Sequence, residues 1–140
     1  MGTFPRGAAV CLLAVCLAFA AAPAGSEKYA GTWEAKSKDT VFLVLKIAAG
    51  EKISGSMRAG KVHMDDKGEL LEVTPPEEQE SPIFFAHVED GKLVFNCQDN
   101  DDDSVLQFEL KLTGENAGEL RIVDKDHPDL KGFAIHRAHA

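Results

Sequence analysis

Residues 105–113, "VLQFELKLT", set Leu106, Phe108, Leu110 and Leu112 against Gln107, Glu109, Lys111 and Thr113 in strict alternation. Successive side chains of an extended strand point to opposite faces, so this run predicts a strand with one buried face and one wet face. The same period of two recurs along most of the chain. "VFLVLKI" (41–47) places Leu43, Leu45 and Ile47 together, and "KISGSM" (52–57) alternates Ile53, Gly55 and Met57 with Ser54 and Ser56. "KVHM" (61–64), "ELLEV" (69–73), "PIFFAHV" (82–88), "KLVFNC" (92–97), "GELRIV" (118–123) and "GFAIHR" (132–137) complete the set. Turn formers such as "DDKG" and "EDG" separate them. No window carries an amphipathic helical period.

Nine or ten short strands at this spacing predict an all-β domain, a sandwich or a barrel. Short turns between neighbours predict an up-and-down meander. Such a meander closes most simply into a single antiparallel barrel of roughly 8–10 strands, which leaves no exposed edge. An open β-sandwich is the alternative.

The N-terminal segment has a different pattern. One basic residue, Arg6, precedes an uncharged apolar run from Ala8 to Ala22, and small residues follow to Ala24. That order predicts a secretory signal peptide over 1–24 and one mature domain over 25–140, secreted or periplasmic. The run is too short to be a transmembrane span, and no membrane insertion is expected after cleavage.

Arg6 is the only charge in that segment, so cleavage leaves 14 basic and 23 acidic side chains, a formal net of −9. A chain of that charge is repelled by nucleic acid and by anionic membranes, and a soluble monomer is expected. Cys11 and Cys16 leave with the signal, so Cys97 stands alone and no internal disulfide is available.

Trp33, the only tryptophan, follows Gly31 at the start of the first strand. Phe133, Ile135 and Arg137 share one face of the last strand, which points Arg137 inward at its end. A buried guanidinium needs partners. If the first and last strands are neighbours, Trp33 supplies a cation–π face and backbone carbonyls at the barrel end supply acceptors. This arrangement resembles the calycin superfamily, the lipocalins and their relatives, in which a Gly-x-Trp opens the first strand and a late arginine packs over the tryptophan. The resemblance implies a barrel closed by Gly31, Trp33 and Arg137. The Gly-Thr-Trp opening is also similar to that of small secreted bacterial proteins, a likeness that carries no activity.

Candidate chemistry is sparse. Asp99, Asp101 and Asp103 alternate in "DNDDDS" and offer oxygen ligands, but the calcium-loop spacing fails: the sixth residue is Ser104, where glycine is needed, and the twelfth is Leu110, where glutamate is needed. A solvated acidic turn with no metal is expected there. His63, His87, His127, His136 and His139 show no metal-ligand spacing. Cys97 shares a face with Leu93 and Phe95, the parity of a buried, inert thiol. No nucleophile elbow, phosphate loop or dinucleotide fingerprint is present, so a non-catalytic protein without a cofactor is expected.

Two functional readings follow. In the first, the barrel holds a small apolar or amphipathic ligand in an interior lined by Leu43, Phe84, Phe95 and Phe108. In the second, the barrel is solid, and loops 74–82 and 98–104 engage or inhibit a protein partner.

Overall fold

The computed structural model describes residues 25–99, 103–126, 128 and 130–138; the expected signal segment lies outside the described residues. Among these residues, a 3-10 turn at Glu27–Tyr29 precedes ten strands. These are β1 (Gly31–Ser37), β2 (Thr40–Ala49), β3 (Ile53–Ala59), β4 (Val62–Met64), β5 (Leu70–Val73), β6 (Ser81–Glu89), β7 (Lys92–Gln98), β8 (Val105–Gly114), β9 (Ala117–Val123) and β10 (Phe133–Arg137). Eight of them close into an antiparallel up-and-down barrel in the order β1, β10, β9, β8, β7, β6, β3, β2. Because β1 pairs with both β2 and β10, the sheet has no edge and the open sandwich is excluded. β4 and β5 pair only with each other, as a hairpin inserted between β3 and β6.

Alternation fills the interior as the pattern dictates. Leu43, Leu45 and Ile47 of β2, Leu93, Phe95 and Cys97 of β7, and Phe108 and Leu110 of β8 are all buried in one core with Trp33, Leu120 and Ile135. Two tight turns set the twist of their hairpins. Lys38 and Asp39 both have positive φ (49° and 70°), as do Asp90 and Gly91 (51° and 77°). Such pairs match the right-handed twist of the strands that they join.

Two bulges break the alternation. Ala35 pairs with Leu43 and Lys36 with Val41, which leaves Phe42 as the extra residue of β2. Phe42 is fully buried, edge-on to Phe133 at 5.3 Å between ring centroids. In β6, Phe84 pairs with Asn96 and His87 with Val94, so Phe85 and Ala86 together oppose Phe95. Phe85 takes φ +52° and is 77% exposed. The bulge switches the inward parity from Ile83 before it to Ala86 and Val88 after it.

The meander gives the barrel two distinct ends. β1 starts and β10 finishes at one end, together with the turns after β2, β6 and β8. The opposite end carries the turn at Lys38–Asp39 and the long connections from β3 to β6, β7 to β8 and β9 to β10.

Candidate functional site: a covered cavity opposite a plugged end

Trp33 and Arg137 are partners across the β1–β10 ladder, and the Arg137 Cζ lies 4.3 Å from the centre of the Trp33 ring. The guanidinium donates to the carbonyls of Ala30, Lys28 (3.0 Å) and Glu115 (3.4 Å), and its Nε donates to Asn116 Oδ1 at 3.2 Å. The Trp33 indole N–H donates to the Tyr29 carbonyl at 2.9 Å. Tyr29 is buried beside it, and its hydroxyl donates to the Gly91 carbonyl at 2.9 Å. Burial pushes the Tyr29 phenol above its ordinary range, which keeps it protonated and donating. Gly31 is required for this packing. It has φ +129°, and a Cβ there would sit 2.5 Å from Arg137 Nη1. The three closure residues thus meet as the sequence implies, and they seal this end with a hydrogen-bonded aromatic plug.

The other end is hollow. A cavity of about 450 Å³ opens between the core and the β4–β5 hairpin. Its apolar wall includes Phe42, Leu43, Met57, Leu106, Phe108 and Ile122. Lys61, His63, Glu77, Gln98 and Asp99 add polar groups to the lining. Such a volume, mostly apolar with a few polar groups, is that of a small-molecule pocket.

Of the four residues expected to line the interior, Leu43 and Phe108 do so. Phe95 is fully buried but stacks on Phe108 at 5.4 Å within the packed core, off the cavity wall. Phe84 corrects the expectation. It stands on the face opposite Ile83, half-buried against Phe85, because Ile83 takes the inward position before the bulge. Neither the twin phenylalanines nor their spacing reveals which side the bulge turns outward.

Cys97 lines the cavity and is only 4% exposed. Its thiol makes weak contacts of 3.8 Å to the carbonyls of Ser81 and Gln98, and burial pushes its pKa up. It is held as a neutral thiol, which is poorly nucleophilic.

At the ends of the acidic segment, Asp103 N–H donates to Asp99 O at 3.0 Å and Asp99 N–H donates to Ser104 O at 2.7 Å. Asp101 lies outside the described residues, as do His127 and His139. His87 contacts the Phe85 carbonyl (3.1 Å) and Glu89 (3.4 Å) on the surface, and His136 is exposed. Among the described residues, no group of three or more His, Cys, Asp and Glu side chains is placed to hold a metal ion.

Phe42 and Met57 also line the cavity, and neither is among the four lining residues expected from the sequence. Met57 had the inward parity that would have found it, whereas Phe42 had the outward parity and reaches the cavity only through its bulge. Comparison of the chain with family models, with curated proteins and with solved structures finds no match to any of them.

Proposed function

We propose that this protein is an exported, non-catalytic barrel that binds a small apolar or amphipathic molecule in the cavity beneath the β4–β5 hairpin. One observation carries the reading: a barrel sealed at one end keeps about 450 Å³ of apolar-walled space at the other. Protein interiors close-pack where nothing is to be held, and an apolar void forgoes dispersion contacts along its whole lining. An apolar ligand restores those contacts. A polar group on it would face Lys61, Glu77 and Asp99 among the polar lining residues. The closure by Gly31, Trp33 and Arg137 supports a calycin-like kinship.

The test is binding of 1-aminoanthracene, a neutral aromatic probe that fluoresces in apolar surroundings, with Ala59→Trp as the blocked variant. Ala59 packs against the core on the cavity wall, and an indole there occupies the space without disturbing the plug. Wild-type protein should bind the probe saturably. The variant should bind at least about tenfold more weakly, a loss of about 1.4 kcal/mol, while melting at the same temperature or higher. Equal binding by both proteins would refute the cavity as the site.

A further inference from the structure

The β4–β5 hairpin is fastened at both ends. At its base, Gly60 N–H bonds the Phe42 carbonyl at 2.8 Å, and Lys61 N–H bonds Thr74 Oγ1 at 2.7 Å while Thr74 N–H returns to Lys61 O at 3.0 Å. Gly60 is pressed against that strand exit, where a Cβ would sit 2.0 Å from the Thr74 carbonyl oxygen. The base therefore belongs to the junction of β3 and β6.

The tip is tied elsewhere. Lys131 N–H donates to the Lys67 carbonyl at 3.0 Å, and Lys131 Nζ pairs with Glu69 at 3.1 Å. Gly68, with φ +90°, lets the two backbones meet, since a Cβ there would lie 2.6 Å from Lys131 N. Lys131 belongs to the connection between β9 and β10. In a ring of eight strands, the β3–β6 and β9–β10 junctions are diametrically opposed. The hairpin therefore crosses the mouth from one rim to the opposite one.

Of its two strands, β4 lines the cavity and β5 pairs with it. Val62 and Met64 line the space, and Val62, Leu70 and Val73 pack against the core. Yet only three residue pairs join β4 to β5, and neither strand pairs with the barrel. A two-stranded hairpin is marginal in water without such support. The tip's ion pair is more than half exposed on both side chains, where charge attraction is weak and screened by salt.

We infer that the β4–β5 hairpin is a lid that opens by releasing its tip from Lys131, turns on its base at Gly60–Lys61, and thereby sets the rate at which a ligand reaches the cavity. This rests on the ligand-binding reading above. The structure supplies a roof with a firm hinge on one rim and a small, solvent-exposed latch on the other.

Stopped-flow mixing with 1-aminoanthracene tests it with two variants that act in opposite directions. Gly68→Ala places a methyl group against the Lys131 backbone and so unseats the tip. It should raise both the association and dissociation rates at least about threefold, with little change in the melting temperature of the barrel. Glu69→Cys/Lys131→Cys, joined by a short bis-maleimide with a reducible disulfide at its centre, should slow both rates at least about tenfold, and reduction of the linker should restore them. Wild-type rates in both variants, with equilibrium binding intact, would overturn the lid and leave the cavity standing. Absence of saturable binding in the wild-type protein would overturn the site and the lid together.

Discussion

The two ends of the barrel close by different physics. At the plugged end, a fully buried indole and a buried phenol are locked by hydrogen bonds to backbone carbonyls, and one arginine gathers acceptors from residues 28, 30, 115 and 116. Those bonds tie the start of the domain to the β8–β9 turn and to its last strand. At the covered end, a short hairpin bridges the mouth and is held at its tip by one backbone bond and one exposed ion pair. A meander barrel needs only one firm seam to close its ring. Once β1 and β10 are pinned by Trp33 and Arg137, the opposite rim is free to carry long connections and an interior that is not filled.

The largest expected effect would break the plugged end. Trp33→Ala should destabilise the fold by about 3–5 kcal/mol through the cavity that it leaves. Arg137→Ala should cost about 1–3 kcal/mol, by removing the stacking and orphaning carbonyls. Residues in contact share interaction energy, so the double variant should fall short of the sum by about 0.5 kcal/mol or more. Denaturant unfolding of the four proteins measures this. Strict additivity would mean that the plug is not one unit, and the contrast between the ends would lose its basis.

A smaller effect sharpens the contrast at the lid. The Asp65 carboxylate accepts N–H bonds from Lys67 and Glu69, both at 2.9 Å, and so holds the hairpin tip in shape. Those backbone donors, Glu69 first, hold its pKa below the usual carboxylate range. A depressed carboxylate pKa contributes stability above the unfolded value, and that contribution is lost as pH falls through the folded value. The tip should therefore keep its shape through neutral and mildly acidic pH and loosen only below the ordinary aspartate range. Amide chemical shifts of Lys67 and Glu69 followed against pH should show that transition, and Asp65→Asn should abolish it. The plugged end should be unchanged over the same range.

How far the sequence discloses this molecule follows from what each residue depends on. The barrel is readable because burial on one face of a strand imposes a period of two, seen most plainly from Leu106 to Leu112. The plug is readable because Trp33 and Arg137 sit at opposite ends of the domain on inward positions, where a meander must bring them together. The cavity is half readable. Leu43 and Phe108 obey the alternation, whereas Phe84 and Phe42 sit at bulges, where one added residue inverts the facing of its neighbours. The hairpin's role is not readable at all. "KVHM" and "ELLEV" look like any other strands, and only the three-dimensional course of the chain sets them over the mouth instead of in the wall.

A methyl NMR titration of the full domain with 1-aminoanthracene tests the division between the two ends most directly. If one end holds the fold and the other holds the ligand, the methyl signals of Leu43, Met57, Met64, Leu106 and Ile122 should shift saturably together. Those of Ile47 and Leu112, near the plug, should stay in place. Shifts centred on Ile47 and Leu112, or on the exposed Val105 and Leu71 methyls of the outer surface, would show that the probe does not bind in the cavity.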